Sequence, residues 1–363
     1  MSDFLVTFRW KLFRLVSLIT LGKLSGETML GVNMLRDLDE ALAEPNIRKH
    51  VMKRTLLSGA SVQNYVYPSD FPDYLQRTQA FDDKNAYLLS DVITSPKHGV
   101  VWFPEGRILQ QSVANIPFFY FFGGIKETLL PVRELAIADP VCPLASYNCY
   151  YHQLFEGLLP VLQGKALYPS ARILVSKTRP SYLNGMLSFF GIDESQMIIA
   201  ERPLHVPQCV LIPKWVNSGY TRQSDVDFMH GQISSRIKDG EQGGKIYISR
   251  SLTKGRELLN EVELEDALSK KGFRICHFEK MPFSEQMETI HSASIIIAPH
   301  GSGEANMIAA RPGTRWIEIL SEDWFVTCYA KLALQLGLNY AFFLTEPSQQ
   351  GRRIPVRAIL QNI

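Results

Sequence analysis

The chain has 363 residues, 46% of them hydrophobic, which is enough for two domains with separate cores. Its formal net charge is only +2, so no overall positive field supports nucleic-acid binding. The five cysteines are odd in number, lie far apart and form no C-x-x-C pair. This favours reduced thiols in a cytoplasmic protein over a disulfide framework or a zinc site.

The first 25 residues are apolar but carry basic residues at intervals. They are too interrupted for a membrane span, which needs roughly 20 mostly apolar residues, and they contain no A-x-A-like cleavage site. Apolar residues at helical spacing favour two interpretations: residues 4–23 lie on an anionic membrane surface, or they form a helix docked on the protein. Residues 26–60 read as a polar helical segment, so 1–60 is predicted to be a helical extension.

Residues 61–217 are predicted to form the first domain. Gly99–Phe103 reads as a strand, and further along the chain helical segments alternate with strands such as Ala171–Ser176. This alternation predicts a parallel sheet with helices on its faces. The polar, glycine-rich stretch 218–244 is predicted to be an interdomain linker.

A helix predicted over 148–162 carries the first candidate site. Its apolar residues recur at i, i+3, i+4 and i+7, which indicates a buried stripe. His152 and Glu156 are four residues apart and therefore share a face. A carboxylate there can fix the histidine tautomer and raise its basicity, as suits a general base. On this pair alone, a structural histidine satisfied by a nearby acid is the favoured interpretation.

The second domain is predicted over 245–345. Its first strand ends at Arg250, and Arg256 follows in the next loop. Arginine at a strand-to-helix loop suits phosphate, because its forked donors carry a permanent charge; a solvated surface arginine is the alternative for each. Asn260 with Glu263 resembles a helix capping box, the favoured interpretation for Asn260.

The stretch 294–320 contains a strand at Ile295–Ile297, a glycine loop, a helix from about Glu304 and a strand at Trp316–Leu320. In such units, ligands sit at the loop after the first strand. His300 in that loop therefore suggests a ligand site, although a helix-capping histidine is the alternative. Residues 346–363 are predicted to be a tail helix.

Several motifs together resemble glycosyltransferase family 61, the former DUF563 group, over roughly residues 145–320. They are NCYYHQLFEGLLP, KIYISRS, R-x-L-L-N-E, F-S-E-Q, APHGSGEANM and PGTRWIEI. The chain departs from the family pattern at Ser302 and Glu304-Ala305, where the family usually has Ala and Leu-Thr, and at Gln153, where a tryptophan often follows the histidine. Glu304 is therefore the first candidate for a residue that sets donor preference.

The resemblance implies an α/β fold of GT-B type: two Rossmann-like parallel-sheet domains facing a cleft, with the N-terminal helical extension. It also implies inverting, metal-independent transfer of a sugar from a nucleotide-sugar donor, with UDP as the expected carrier. No cofactor is expected. The Asp-x-Asp pairs at Asp37/Asp39 and Asp225/Asp227 are interpreted as surface acids rather than metal ligands.

The expected acceptor is a glycan or a lipid-linked glycan in surface polysaccharide biosynthesis. The enzyme is expected in the cytoplasm, peripheral at the inner face of the plasma membrane, with no nucleic-acid partner. A nucleotide-sugar epimerase of GT-B-like fold and a non-catalytic nucleotide-sugar-binding accessory protein are the alternatives.

Within this family context, a functional role is favoured for His152, as the base or as an acceptor ligand, with Glu156 supporting it. Arg250 and Arg256 are assigned to the diphosphate, the backbone N–H groups of 301–303 assist them, and Glu318 is a candidate for the ribose hydroxyls. The full donor-binding set is Arg250, Arg256, Asn260, Glu279, His300, Gly301, Ser302, Gly303, Asn306 and Glu318.

Overall fold

The computed structural model describes residues 33–35, 37–69, 71–72, 75, 77–112, 126–214, 219, 221–238, 240–253, 258–321, 325–348 and 351–363. The predicted membrane-binding segment 4–23 and Arg256 lie outside these residues. In the part of the chain that is described, no helix has the length and apolar character needed to cross a membrane.

The strands are numbered in chain order. They are β1 Asn33–Leu35, β2 Val51–Ser58, β3 Ser61–Asn64, β4 Thr78–Phe81, β5 Lys84–Thr94, β6 Val101–Trp102, β7 Arg107–Leu109, β8 Arg133–Glu134, β9 Val141–Pro143, β10 Arg172–Ser176, β11 Met197–Ala200, β12 Leu204–Leu211, β13 Gly244–Ile248, β14 Arg274–Cys276, β15 Ala293–Pro299, β16 Arg315–Leu320, β17 Asn339–Leu344, β18 Glu346–Ser348 and β19 Gly351–Arg353.

The α-helices span Leu38–Ala41, Pro45–Arg48, Tyr150–His152, Leu159–Leu167, Ser181–Phe189, Gln223–Ser234, Glu261–Lys270, Phe283–Ser292, Cys328–Gln335 and Val356–Gln361. A π-helical turn, Gln153–Leu158, joins the third and fourth of these into one continuous helix. Short 3₁₀ helices lie at Gln110–Ser112, Glu194–Gln196, Phe278–Lys280 and Ser302–Ala309.

The chain divides into two compact units. Unit 1 comprises the segment that ends at Ala60 together with Asp82–Leu183 and Ile192–Ser218, and unit 2 comprises Ser61–Phe81, Asn184–Gly191 and Gly219–Ile363. The boundaries therefore differ from the predicted ones, because two segments of the predicted first domain belong to unit 2. The predicted linker 218–244 also differs, since it contains the helix Gln223–Ser234.

Unit 1 is built on a mixed sheet with the order β1-β7-β6-β5-β12-β9-β10-β11, to which β2 adds at β5 and β8 at β12. Only part of this sheet is parallel as predicted: β9, β10 and β11 pair in parallel, whereas β5 runs antiparallel to β2, β6 and β12. The helical prediction for 26–60 is wrong at β2, which pairs with β5 along most of its length. An apolar cluster that includes Leu89, Val206 and Leu174 forms the core.

Unit 2 has the predicted parallel sheet, with the order β14-β13-β15-β16-β17. Ile297 and Ile317 face each other in register on adjacent strands and are fully buried, as the β-branched runs of the sequence indicated. Because parallel strands end at one edge of a sheet, the residues just beyond Ile248, Pro299, Leu320 and Leu344 lie along a common edge.

Candidate active site

His152 lies in the helix that follows β9, immediately before its π-helical segment. The predicted apolar stripe of this helix is confirmed, since Leu154 and Leu158 are fully buried. Gln153 is fully buried as well; its side chain accepts a hydrogen bond from the backbone N–H of Tyr147 and donates one to the carbonyl of Ala145. Gln153 thus fixes the loop that leads into His152, which explains a polar residue at this position.

The His152 imidazole and the Glu156 carboxylate form the contact that their spacing predicts. The distance from Nδ1 to Oε1 is 2.8 Å, and both side chains are largely shielded from solvent. Burial alone would lower the pKa of His152, but hydrogen bonds with the Cys149 thiol and with Glu156, and the charges of both groups, raise that pKa to about 9. Before any ligand binds, most of the His152 population is therefore protonated at neutral pH.

Cys149 was not singled out from the sequence, although it lies at the N-cap of this helix, three residues before His152. Burial raises the pKa of its thiol, but the hydrogen bond and charge of His152 outweigh that effect and lower it below the ordinary value. The π-helical turn places Glu156 in a distorted part of the helix, and such turns occur frequently at functional sites. The helical spacing of apolar residues in the sequence predicts neither the interaction of Cys149 with His152 nor the π-helical turn.

In unit 2, His300 follows β15 directly, in the predicted glycine loop. Its Nδ1 lies 2.5 Å from Oε1 of Glu318, whose other oxygen accepts a hydrogen bond from the Tyr340 hydroxyl. The carboxylate thus fixes Nδ1 as the donor nitrogen and leaves Nε2 for other contacts. Glu318 is fully buried, so the structure places it behind His300 as an orienting group and not at the surface where a ribose would bind.

Glu304 is a second buried carboxyl group in this loop. Its Oε1 accepts from the indole Nε1 of Trp316, and its Oε2 accepts from the backbone N–H of Gly301. Burial, together with the neighbouring carboxyl of Glu318, raises the pKa of Glu304 well above its ordinary value. The Gly301 N–H, which was assigned to phosphate, is bonded within the loop.

Ligand atoms of His300, Glu304 and Glu318 all lie within 4.8 Å of one another, the one such group of potential metal ligands among the described residues. Each of the three side chains already has a hydrogen-bond partner in the protein.

Arg250 lies just beyond the carboxyl end of β13, where the sequence predicted a phosphate ligand. Its guanidinium packs against Gly301, where a Cβ atom would overlap it. Its backbone N–H donates a 2.7 Å hydrogen bond to Glu261, which also accepts from the Tyr247 hydroxyl. The close packing explains the glycine after His300, and the acid fixes the backbone that carries the arginine.

A recess opens along this edge of the unit 2 sheet. Arg250 and His300 line it, together with Ser321, Thr345 and Arg352, which were not predicted from the sequence. It has room of about 30 Å³ for solvent, more than the ~10–15 Å³ that one water molecule needs. With guanidinium and hydroxyl donors on its walls, the recess has the chemistry of an anion site.

Three other residues of the predicted donor set do not line the recess. Asn306 is fully buried and donates to Gln286, so it holds the loop. Glu279 is exposed on the 3₁₀ turn Phe278–Lys280. Asn260 makes no side-chain cap at the helix it precedes; its amide bonds instead to the backbone of Ile354.

The fold and the recess define a class of protein: an α/β protein with an arginine-lined recess at the carboxyl edge of a parallel sheet. Residues 150–317 match the family model for Glycosyltransferase 61. The chain is also 25% identical over 272 residues to a beta-1,2-xylosyltransferase of Arabidopsis thaliana. Both comparisons confirm the resemblance of the motifs to glycosyltransferase family 61. That match covers 70% of this chain but only 47% of the Arabidopsis protein, so the chain spans about half the length of its curated relative.

Proposed function

We propose that this protein is a glycosyltransferase that moves a sugar from a nucleotide-sugar donor to a glycan or lipid-linked acceptor. The observation that carries the proposal is the recess of unit 2, which Arg250 and His300 of the family-matched region both line. Departure of a nucleoside diphosphate develops negative charge, which a guanidinium held in place can stabilise. Both comparisons are with transferases, so the epimerase and accessory-protein hypotheses are not favoured.

The proposal assigns the donor to unit 2. Arg250 contacts the diphosphate, and Nε2 of His300 contacts a phosphate or sugar oxygen. Nδ1 of that ring is held by Glu318, so Nε2 donates only when the ring carries both protons. Inverting transfer, independence of metal ions and UDP as carrier belong to the proposal, supported by the family resemblance. A GT-B-like arrangement, surface polysaccharide synthesis and a cytoplasmic, membrane-peripheral location belong to it as well.

The proposal assigns the acceptor to His152 of unit 1, with two alternatives for its role. As a base, His152 acts through the small neutral fraction that its raised pKa leaves at pH 7. As an acceptor ligand, it donates a hydrogen bond in its abundant protonated form. The two roles have opposite pH dependence, because alkaline conditions increase the first form and deplete the second.

A donor panel tests the function. Nucleotide sugars are incubated with the full chain, and release of nucleoside diphosphate is measured with and without a chelator. A xylosyl donor heads the panel, because the Arabidopsis relative is named a xylosyltransferase. We expect one donor to be consumed, with no loss of rate on chelation. Interconversion of donors without release of diphosphate would instead identify an epimerase.

Two variants assign the roles. Arg250→Ala should weaken nucleoside diphosphate binding, and unchanged affinity in calorimetry would remove Arg250 from the donor site. His152→Ala should abolish transfer and leave diphosphate affinity intact. Retained turnover would exclude His152 as the base.

A further inference from the structure

The recess contains a second arginine that comes from the far end of the chain. Arg352 lies on β19 of the two-stranded hairpin β18–β19, outside the family-matched residues 150–317. Arg250 lies about a hundred residues earlier in the chain, two residues after the end of β13. Two guanidinium groups thus line one small recess with the hydroxyl-bearing residues Ser321 and Thr345.

The backbone around Arg352 is fastened to the loop that follows Arg250. Leu258 pairs with Arg352 in an isolated parallel bridge, and the N–H of Leu259 donates a 2.9 Å hydrogen bond to the carbonyl of Arg352. At the hairpin turn, Gly351 has a φ of +140°, which an L side chain rarely adopts, and a Cβ there would lie 3.4 Å from Leu259. The position of Arg352 is therefore built into the fold.

Asn260 completes this fastening. Its Oδ1 accepts from the N–H of Ile354 at 2.7 Å, and its Nδ2 donates to the carbonyl of the same residue at 3.0 Å. Ile354 is itself buried in the unit 2 core. An amide with both of its polar atoms bonded to one backbone residue acts as a fixed clamp. The neighbouring Glu261 accepts a hydrogen bond from the backbone N–H of Arg250. The consecutive residues Asn260 and Glu261 therefore anchor the backbone near Arg352 and at Arg250, respectively.

We propose that Arg352 is a second diphosphate-binding residue of the recess and that Asn260 positions it. The assignment rests on the proposed function in one respect, namely that the diphosphate is that of a nucleotide-sugar donor. Two guanidinium groups can share the oxygens of a diphosphate, each through charge-assisted hydrogen bonds.

The adjacent Arg353 provides a matched control. It is exposed and faces Glu263, with 3.8 Å between Nη2 and Oε2. Successive residues of a strand point to opposite faces, so Arg353→Ala removes the same charge from the same hairpin without touching the recess. Arg352→Lys keeps the charge and loses the forked geometry, and it serves as the second variant.

Isothermal calorimetry with inorganic pyrophosphate and with UDP tests the assignment. We expect Arg352→Ala to weaken the binding of both ligands by about tenfold or more, and Arg353→Ala to keep affinities within about twofold of those of the unmodified protein. The affinities of Arg352→Lys should lie between those of these two variants. If Arg352→Ala binds pyrophosphate and UDP as tightly as Arg353→Ala does, the proposal is overturned. Thermal unfolding of each variant confirms that it is folded.

A double-mutant cycle tests the positioning role of Asn260. Asn260→Ala should weaken pyrophosphate binding in the unmodified protein but add nothing in the Arg352→Ala background, because it acts through that arginine. An equal loss in both backgrounds would show a merely structural Asn260 and overturn its role.

The results also separate this inference from the proposed function. If pyrophosphate binding depends on both arginines but no nucleotide sugar is bound or consumed, the diphosphate site stands and the transferase proposal fails. If UDP binding and transfer depend on Arg250 alone, the transferase proposal stands and Arg352 is wrongly assigned. A protein that binds neither UDP nor pyrophosphate overturns the diphosphate assignment of both arginines.

Discussion

Replacement of Glu156 by glutamine should lower the pKa of His152, and the contacts of the imidazole set the size of the change. The rise from an ordinary value of 6.5 to about 9 corresponds to about 3 kcal/mol in favour of the protonated ring. Glutamine can still accept the 2.8 Å hydrogen bond but carries no charge. An opposite charge at such a distance changes a pKa by ~1–3, so we expect the midpoint of Glu156→Gln to fall by about 1–2 pH units.

Nuclear magnetic resonance of the full chain with labelled histidine measures this midpoint without any substrate. The protein has eight histidines, and the signal lost in His152→Gln identifies the one of interest. Glu201→Gln is the matched control: it removes the same charge from unit 1, where Glu201 is exposed and pairs with Lys177. A midpoint near 6.5 in the unmodified protein, or one that Glu156→Gln leaves in place, would refute the assigned cause.

The same ion pair has a defined effect on stability. The folded-state pKa of His152 is raised, so the pair stabilises the fold fully below about pH 6.5 and loses this effect as pH rises through about 9. The difference in unfolding free energy between the unmodified protein and Glu156→Gln should therefore shrink from acid to alkaline pH, with about 3 kcal/mol as its upper limit. Urea unfolding across this range measures it, and a difference that grows with pH would contradict the sign.

Two glycine substitutions test the packing of the two sites. Gly301→Ala should displace the Arg250 guanidinium and weaken pyrophosphate binding by about tenfold. Its control is Gly303→Ala, whose Cβ would lie in ordinary contact, 4.0 Å from the Phe278 ring, and should leave binding unchanged; equal calorimetric affinities of the two variants would contradict this. Gly157→Ala would place a Cβ 2.7 Å from a backbone carbonyl and should cost about 1–3 kcal/mol in urea unfolding. Its control is Gly231→Ala, an open helical position that should gain up to ~1 kcal/mol, and equal stabilities would exclude the steric argument.

The unit 2 sheet could be predicted because its information is local. β15 and β16 are short apolar runs rich in β-branched residues, and each is followed by a proline, glycine or polar break. The helices between such strands have apolar residues at helical spacing, so the order of strands and helices can be predicted from the sequence. What the sequence missed here is the change of Ser302–Ala309 from an α-helix to a 3₁₀ helix, which packing decides.

The unit 1 sheet could not be predicted in the same way. β5 has eleven residues but includes Asn85, Ser90 and Asp91, so it shows neither clean alternation nor an uninterrupted apolar run. Asp91 even adopts a positive φ of 55°. The strand is defined by its partners β2 and β12, and β12 is more than a hundred residues away. Pairing over such a separation leaves no local pattern to recognise.

The candidate sites divide along the same line. The contact between His152 and Glu156 could be predicted because helical geometry joins residues four apart. Arg352 could not be predicted, because only the tertiary pairing of 258–260 with 352–354 brings it to the recess, across 94 residues of sequence in the case of Asn260 and Ile354. The capping interpretation of Asn260 was wrong for the same reason: its side chain is hydrogen-bonded to the distant backbone of Ile354 and makes no cap.

Glu304 shows how a departure from a family pattern can act without touching a ligand. It is only 1% exposed, so it cannot select a sugar by direct contact from this position. Its carboxyl instead accepts hydrogen bonds from Gly301, the residue against which the Arg250 guanidinium packs, and from Trp316 on the next strand. An apolar residue would make neither hydrogen bond and would leave the Gly301 N–H to find another partner. Any influence of Glu304 on donor preference must therefore pass through the shape of the His300–Gly303 loop.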